Sequence, residues 1–298
     1  MHNLTTKLLA WYQLHRRELP WRKTRNPYHI FISELMLQQT QVERVVPKYR
    51  EFLKTFPTWK SLATATTPDL IQAWAGLGYN RRVLYAREAA RQVVAHGIPT
   101  DEPTWRSLKG VGPYMAAALT EFASHKRALV LDTNIRRIVG RTMLGIPFPY
   151  LTDDPRILSA LDTLTPTRGA HADIPQAMMD FANAICLPTN PTCATCPLRA
   201  QCNASQQFLS DKKPIKPKRR ATERVHRDKP FPDRIYRGRI LALVRAKKKI
   251  TLSQIGNHID PAFDSTADSD WLAAMASRLA KDGLIVIHRG DTLSLPNS

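Results

Sequence analysis

The chain has 298 residues, 43% of them hydrophobic, and its 44 Lys and Arg against 25 Asp and Glu give a formal net charge of +19 at pH 7. This apolar content supports a packed core and excludes wholesale disorder, and no apolar run approaches the roughly 20 residues that a membrane span needs. We therefore expect a soluble intracellular protein of about two domains, without a signal peptide, whose positive charge favours nucleic acid as partner over an acidic membrane surface.

The first 210 residues have a helical pattern, because apolar residues recur at spacings of three and four and strand-like alternation is scarce. Asn26-Pro27, a cap followed by a first-turn proline, opens a predicted helix over 28–39. Further helices are predicted over 42–55, 68–75, 80–96, 103–109, 113–124, 133–143, 155–164 and 175–186.

Glu34 lies on the first of these predicted helices. Three of the four side chains one turn away are apolar: Ile30, Phe31 and Leu37, with Gln38 as the fourth. A carboxylate among such neighbours is desolvated, which raises its pKa and suits it to deliver a proton. The alternative is an ordinary surface glutamate or a capped acid in the core.

The string Leu108-Lys109-Gly110-Val111-Gly112-Pro113-Tyr114 follows one short helix and opens another. Gly110 and Gly112 allow a tight turn with exposed backbone, and amides at such a helix start can hold a phosphate. This is the helix-hairpin-helix pattern of sequence-independent DNA binding. The alternative is an ordinary turn between two helices.

Asp132 precedes a predicted helix, where Asp is a favoured N-cap. Capping and catalysis are compatible, because a fixed, ionised carboxylate can also face a developing cation. Gln39 and Tyr79 are candidate DNA wedges, with a place in the core or on the surface as the alternative for each.

The four cysteines all fall between Cys186 and Cys202, with the spacing C-x6-C-x2-C-x5-C. In an intracellular chain, clustered thiols with a C-x2-C pair indicate metal ligands rather than disulfides. Zinc and an iron–sulfur cluster both accept four thiolates, and the count alone does not separate them.

The chain changes character after residue 210. Residues 211–230 carry nine basic and three acidic side chains and three prolines, which predicts a linker that is either a solvated spacer or a non-specific phosphate contact. Residues 231–298 predict three helices: one over 234–245, one that begins at the capping-box pattern of Thr251 and Gln254, and one over 271–281. A hairpin is predicted after them at Gly290-Asp291. Three helices and a terminal hairpin describe a winged helix, which can dock protein or read DNA through outward-pointing Arg278 and Lys281 of its third helix.

Seven motifs together resemble the MutY-type adenine DNA glycosylases of the helix-hairpin-helix superfamily over about residues 7–205. Six are PWR at 20–22, SELMLQQTQV at 33–42, WAGLGY at 74–79, LKGVGPY at 108–114, LDTNIRR at 131–137 and QAMMDFANAIC at 176–186. The seventh is the cysteine spacing. The resemblance implies a mainly α, two-lobed glycosylase domain over 1–210, and it favours a [4Fe–4S] cluster on Cys186, Cys193, Cys196 and Cys202 over zinc.

The resemblance also implies the reaction, which is removal of adenine mispaired with 8-oxoguanine or guanine in double-stranded DNA. The adenine is flipped from the duplex into a pocket. Glu34 then protonates the leaving base, Asp132 stabilises the cationic sugar, and Tyr114 and Asn134 support that centre. Related bifunctional enzymes have a lysine where this chain has Tyr114, and tyrosine cannot form their Schiff base, so base excision without strong strand cleavage is expected.

The DNA contacts implied by the resemblance fall into three groups. They are Arg22 and Gln176 on the flipped base, Gln39 and Tyr79 inserted into the helix with Thr40 and Leu77 beside the orphaned base, and Gly110 and Gly112 in the hairpin. We expect a monomer in the cytoplasm, associated with the nucleoid.

This chain departs from the family pattern at three places. Asn80 stands where family members usually have tyrosine, and Thr133 where they usually have glycine. The last 68 residues are too short for the usual Nudix-like reader of 8-oxoguanine. Two alternatives stay open: a glycosylase for thymine or uracil opposite guanine, against which LQQT at 37–40 and Gln176 favour adenine, and a non-catalytic iron–sulfur regulator, which would need neither Glu34 nor Asp132.

Overall fold

A computed structural model describes residues 2–167, 170–217, 225–227 and 229–296. Within these ranges the chain forms fifteen α-helices and one three-stranded sheet, so the predicted mainly α class is confirmed. In the part of the chain described, no helix is both long and apolar enough to cross a membrane. The helices group into two compact units that alternate along the sequence: Met1–Glu34, Pro99–Ser107 and Val111–Arg219 form the first, and Leu35–Ile98, Leu108–Gly110 and Arg220–Ser298 the second. Residues 35–98 thus share a unit with the C-terminal module, whereas the sequence suggested one domain over 1–210.

The first unit is built around helices α9 (Thr133–Thr142) and α11 (Asp173–Ala184), which pack on each other. Helix α1 (His2–His15) packs on α11, and α10 (Asp154–Leu164) packs on α9. Its core joins Leu8 of α1 to Ile138 of α9 and Phe181 of α11. Its helices are α1 (His2–His15), the start of α2 (Pro27–Leu37), α7 (Glu102–Ser107), α8 (Pro113–Phe122), α9 (Thr133–Thr142), α10 (Asp154–Leu164), α11 (Asp173–Ala184) and α12 (Ser205–Leu209).

Helix α1 is missing from the sequence prediction, whose first helix begins at residue 28. Leu4, Leu8 and Tyr12 are all buried, and their spacing of four residues is the apolar stripe of a helix. Thr5, Thr6 and Lys7 interrupt the stripe, and the apolar Leu9, Ala10 and Trp11 obscure its spacing. The pattern was present in the sequence and was missed.

The second unit begins with four helices: α3 (Val42–Thr55), α4 (Trp59–Ala63), α5 (Thr67–Ala73) and α6 (Arg81–His96). Trp74 is fully buried and meets Phe52 edge to face. The predicted helix over 28–39 ends earlier, at Leu37, because Gln39 takes a left-handed backbone conformation with φ 57°. Residues in that region cannot continue a right-handed helix.

The C-terminal module has the predicted helices and hairpin. It consists of α13 (Asp233–Lys247), β1 (Lys249–Thr251), α14 (Leu252–Ile259), α15 (Ser269–Lys281), β2 (Val286–His288) and β3 (Thr292–Ser294). The strands are antiparallel in the order β1-β3-β2, so the sheet includes a strand that the sequence did not predict. The capping box of Thr251 and Gln254 is present, and Arg278 is half-exposed.

This module packs against the preceding helices of its own unit. Ile71 of α5 belongs to the module's hydrophobic core, and Leu84 of α6 packs against it. Arg81 at the start of α6 forms a 3.1 Å ion pair with Asp282, which follows α15.

The end of the predicted linker is also part of the folded module. Residues 218–224 and 228 lie outside the described residues, but His226 and Lys229 both contact the buried carboxylate of Asp268. A carboxylate removed from water needs such cationic or hydrogen-bonding partners. The module therefore begins at about residue 226 rather than 231.

Candidate active site

Two carboxylic acids and a tyrosine, far apart in sequence, meet in the first unit. Glu34 of α2 is only 6% exposed. Tyr114, the second residue of α8, donates a hydrogen bond from its hydroxyl to Glu34 Oε2 at 2.9 Å. The Asp132 carboxylate is near enough to raise the pKa of both groups. The fold thus brings together three of the four residues that the sequence analysis assigned to the reaction centre, and the fourth, Asn134, binds Asp132.

Asp132 is the N-cap of α9, as its position before a predicted helix indicated. Its Oδ1 accepts hydrogen bonds from the backbone amides of Asn134 at 2.9 Å and Ile135 at 2.7 Å. Its Oδ2 accepts one from the side-chain amide of Asn134 at 2.8 Å. Three donors fix the carboxylate in one orientation, so the capping role also holds the anion rigidly for a second task.

Burial dominates the proton affinities at this centre. Burial raises the pKa of Glu34 to about 7, and the negative charge of Asp132 also raises this pKa. The hydrogen bond from Tyr114 acts in the opposite direction and lowers it. Burial also raises the pKa of Asp132, although its three hydrogen bonds lower it. Glu34 can therefore hold a proton near neutral pH, while Asp132 keeps hydrogen-bond donors that favour its anion.

The raised pKa of Glu34 predicts a pH-dependent cost to folding. Below pH 4.5 the carboxyl is protonated in both the folded and unfolded states. Between pH 4.5 and about 7 the unfolded chain releases this proton while the folded chain keeps it, so the free energy of unfolding falls as pH rises through that window. The difference corresponds to about 3 kcal/mol. Glu34→Gln should therefore be more stable than wild type by up to about 3 kcal/mol at pH 8.5 and equal to it at pH 4.

Urea unfolding of both proteins across this pH range measures the difference in the free energy of unfolding. Equal stabilities at all pH values would contradict the buried, proton-holding environment of Glu34. The isosteric glutamine keeps an oxygen for the Tyr114 hydroxyl, so the comparison isolates ionisation.

Arg22 and Gln176, assigned to the flipped base, lie in the first unit with partners of their own. Arg22 grips Asp180 of α11 through two nitrogens at 2.6 and 3.0 Å, and Arg17 binds the same carboxylate at 2.6 Å. Gln176 Oε1 accepts a hydrogen bond from the Tyr12 hydroxyl at 3.0 Å. Its side-chain amide nitrogen remains the group that could donate to a base.

Asp180 is a site residue that the sequence analysis missed. It is 3% exposed and lies one helical turn after Gln176. A carboxylate surrounded by Met178, Met179 and Phe181 in the sequence is a signal, because a buried acid requires a cationic partner. Asp180 orients Arg22, whose charge in turn lowers the pKa of Glu34.

The candidate wedge residues lie in the second unit on two adjacent loops. The first wedge loop, residues 38–40, follows α2, and the second wedge loop, residues 77–79, precedes α6. The Thr40 hydroxyl donates to the Leu77 carbonyl at 3.4 Å and so joins the loops. Gln39 and Tyr79 are exposed, Thr40 is half-buried, and Leu77 is buried.

The helix-hairpin-helix turn connects α7 and α8. Gly110 has a φ of +81°, and a Cβ at this position would approach Tyr85 Cβ to 2.8 Å, so only glycine fits. Gly112 is the N-cap of α8 and has no side chain to cap the helix. Both glycines are exposed, as expected of a backbone that approaches a phosphate.

All four cysteines line one cavity in the first unit. Burial raises the pKa of the Cys196 thiol to about 11 and raises the pKa values of the Cys193 and Cys202 thiols as well. Within the described ranges, no group of three or more His, Cys, Asp or Glu side chains is arranged to hold a metal ion. The four cysteines share the lining of this cavity with apolar side chains, among them Phe181 and Leu198, and with Arg141 and Ser205.

Arg141, which the sequence analysis did not single out, reinforces this cysteine loop. It is 1% exposed and donates to Cys186 Sγ at 3.4 Å and to the carbonyls of Leu187 and Pro188 at 2.7 and 2.9 Å. Its guanidinium also lies 4.5 Å from the Phe208 ring centre. Arg141, a residue of α9, thereby attaches the start of the cysteine loop to that helix.

A chain of hydrogen bonds connects the same loop to Asp132. Asn134 Nδ2 donates to Asp132, and its Oδ1 accepts from Arg137 Nη2 at 3.1 Å. Arg137 Nε in turn donates to the Cys186 carbonyl at 2.7 Å. The orientation of the Asp132 carboxylate is therefore mechanically linked to the cysteine loop.

Comparison with known proteins places this geometry in context. Residues 32–147 match the family described as HhH-GPD superfamily base excision DNA repair protein. The chain is 37% identical over 201 residues to an adenine DNA glycosylase of Mycobacterium tuberculosis, covering 66% of each protein. It is 33% identical over 289 residues to the adenine DNA glycosylase of Mycolicibacterium smegmatis, covering 94% of this chain and 90% of that protein, so the alignment extends into the C-terminal module. With the human adenine DNA glycosylase it shares 34% identity over 212 residues, but spans only 39% of that protein.

Solved structures agree on the fold. A thermostable thymine-DNA glycosylase matches with a TM-score of 0.64 and 27% identity, covering 68% of this chain and 95% of that one. Endonuclease III in a trapped covalent complex with DNA matches with a TM-score of 0.61, covering 70% of this chain and 97% of that one. The latter, at 18% identity, supports the architecture alone.

Proposed function

We propose that this chain removes adenine from mispairs in duplex DNA, because it belongs to the HhH-GPD superfamily of base excision DNA repair proteins and, within it, to the adenine DNA glycosylases. One observation carries this proposal: the buried Glu34, hydrogen-bonded to Tyr114 beside the fixed carboxylate of Asp132. A binding protein would gain nothing from placing two carboxylates together in an apolar environment.

The two acids take different roles because their environments differ. Glu34 holds a proton up to about pH 7 and delivers it to the adenine ring as the N-glycosidic bond breaks. Asp132, held by three hydrogen bonds, offers negative charge to the oxocarbenium-like sugar. Water then adds to C1′ of that sugar and gives its proton to the Glu34 carboxylate, which leaves the abasic site. Tyr114 fixes the orientation of Glu34, and Asn134 that of Asp132.

The opposite base is proposed to be 8-oxoguanine or guanine. A second candidate is a glycosylase for thymine or uracil opposite guanine, because a thymine-DNA glycosylase is 27% identical to this chain and matches its fold. Relatives named adenine DNA glycosylase, at 33% and 37% identity, favour adenine. We predict a cytoplasmic, nucleoid-associated location, because mispaired bases are removed from chromosomal DNA. A monomeric state is a separate prediction.

The proposed function predicts adenine release without strand cleavage. Purified protein should free adenine from duplexes with 8-oxoguanine or guanine opposite, leaving an abasic site that breaks only after alkali. The assay uses single-turnover kinetics on a panel with adenine opposite 8-oxoguanine, guanine and thymine, and with thymine and uracil opposite guanine.

Several outcomes would contradict this prediction. Preferential release of thymine or uracil would support the second candidate, and release of no base from any duplex would remove the enzymatic proposal. Efficient nicking trapped by borohydride would show a Schiff base, which Tyr114 cannot form.

The four cysteines are proposed to hold a [4Fe–4S] cluster. A cavity lined by all four thiols suits a polynuclear cluster, whose iron and sulfide need space between the ligands. When bound, the cluster would order the loop between Cys186 and Cys202 through its bonds to the four thiolates. Arg141 and Arg137, which donate to that loop, would hold it against α9.

Iron and acid-labile sulfide analysis tests this assignment. Wild type should carry about four irons and four sulfides per chain, and Cys193→Ser should lose most of both. Zinc in their place would contradict it. Ser205, whose hydroxyl contacts the loop backbone at Cys202, offers Ser205→Ala as a control that keeps all four thiols.

The C-terminal module, from about residue 226, is proposed to add DNA contacts to the glycosylase, and the basic residues just before it are proposed as further phosphate contacts. Support comes from the exposed Arg278 and Lys281 on α15 and from the winged-helix topology. Arg278 is 50% exposed, and its guanidinium lies 3.8 Å from Asp233, a weak pairing that a phosphate could replace.

A further inference from the structure

Arg82, in the first turn of α6, binds both wedge loops at once. It is 8% exposed. Its Nη1 donates to the Gln38 carbonyl at 2.6 Å, in the first wedge loop, and to the Leu35 carbonyl at 2.7 Å, in the last turn of α2. Its Nη2 donates to the Gly78 carbonyl at 3.0 Å, in the second wedge loop. One planar guanidinium therefore spans the two loops.

Further contacts close this arrangement. Nη2 of Arg82 also reaches Thr40 Oγ1 and the Leu77 carbonyl, both at 3.3 Å. The guanidinium carbon lies 5.2 Å from the Trp74 ring centre and 5.6 Å from that of Tyr79. These described partners are carbonyls, a hydroxyl and aromatic rings, which solvate the buried cation without neutralising it.

The wedge residues themselves have strained backbones. Gln39 and Tyr79 both lie in the left-handed region, with φ values of 57° and 48°. Such conformations persist in non-glycine residues only where the surroundings hold them. Arg82 binds the carbonyls of Gln38 and Gly78, which are the peptide groups immediately before each strained residue. A single side chain therefore restrains the backbone next to both strained residues.

We propose that Arg82 is a positioning residue that holds the two wedge loops at a fixed separation, so that Gln39 and Tyr79 enter the duplex together as the adenine leaves the base stack. This inference rests on the proposed function. Arg82 thereby helps to move the adenine out of the base stack and does not take part in cleaving the N-glycosidic bond. Its hydrogen bonds go to the wedge loops and the end of α2, not to the acids that break the bond.

The two steps can be separated by the choice of substrate. Adenine paired with 8-oxoguanine must be pulled from a stacked duplex, whereas adenine opposite an abasic site has no partner base and leaves the stack more easily. A wedge-positioning defect should therefore harm the first substrate far more than the second. A general loss of folding or of catalysis should harm both equally.

The test compares Arg82→Met with wild type in single-turnover excision from both duplexes. We expect a loss of about 100-fold on the paired substrate and less than about 5-fold on the abasic-opposed one, because several charge-assisted hydrogen bonds are removed. Arg82→Lys should recover little, since an ammonium cannot bridge two loops in one plane. Equal losses on both substrates, or full rescue by lysine, would overturn the proposal.

Arg87→Met provides the matched control. Arg87 lies on the same helix and donates to the Ala65 carbonyl at 3.1 Å, outside both wedge loops. Its variant should match wild type in the ratio of the two excision rates, and a ratio as low as that of Arg82→Met would also overturn the proposal.

A fluorescence signal separates this inference from the proposed function. 2-Aminopurine, an adenine analogue whose emission rises on unstacking, is placed opposite 8-oxoguanine in a duplex saturated with protein. Wild type should raise the emission, and Arg82→Met should bind the duplex with little rise. This readout needs no excision, so it holds even where no base is released, and equal emission from both proteins would refute the role of Arg82.

Discussion

Replacing Glu34 with glutamine is expected to reduce adenine excision by about 1,000-fold while leaving binding to the mispair within a few-fold of wild type. The loss follows from the proton that only a carboxylic acid can supply, since glutamine has the same shape and still accepts the Tyr114 hydrogen bond. Single-turnover excision and a filter-binding titration measure the two effects separately.

The pH profile adds a second check on Glu34. With a pKa of about 7, the protonated form decreases as pH rises, so wild-type excision limited by this acid should fall above about pH 7. Glu121→Gln is the control, because Glu121 is a fully buried glutamate whose Oε2 accepts from the Ala128 amide. Turnover near wild type in Glu34→Gln would remove Glu34 from the mechanism.

Asp132→Asn is expected to slow excision by about 100- to 1,000-fold, because the variant removes a preorganised anion beside the developing sugar cation. Asparagine is as good an N-cap as aspartate, so α9 should still begin at Thr133. One local contact is lost: the new amide nitrogen would face Asn134 Nδ2, now 2.8 Å from Asp132 Oδ2.

Thermal unfolding distinguishes the loss of charge from a loss of structure in Asp132→Asn. A melting temperature within a few degrees of wild type, together with slow excision, would support the electrostatic role. Asp132→Ser keeps a capping oxygen but no amide nitrogen, and it should be equally slow. Normal excision by either variant would mean that the reaction does not need this charge.

The architecture was largely predictable from apolar periodicity, whereas the centre was not. Glu34 and its apolar neighbours predicted a buried carboxylate, and 6% exposure agrees. Its proximity to Tyr114 and Asp132 depends on how α2, α8 and α9 pack, which no local pattern encodes. Only the resemblance to a known family brought the three together before the structure did.

Positive charge indicated the class of partner but not which arginines are free to meet it. A net charge of +19 predicts a polyanionic partner, yet several arginines serve the interior of the protein. Arg82 and Arg141 are buried and bind carbonyls, and Arg22 binds Asp180. Sequence alone cannot separate an arginine that meets phosphate from one that fixes loops, because both carry the same charge and only the fold decides which one is buried.

The apolar contact between Ile71 and the C-terminal module has a consequence for protein engineering. Segments that share buried apolar surface tend to open cooperatively, so α5 and α13–α15 should exchange their amide hydrogens with solvent at similar rates. A chain shortened to residue 230 would leave Ile71 and Leu84 facing water. Any domain fused in place of the C-terminal module must therefore bury these two side chains. A fusion at this junction that leaves them exposed would aggregate.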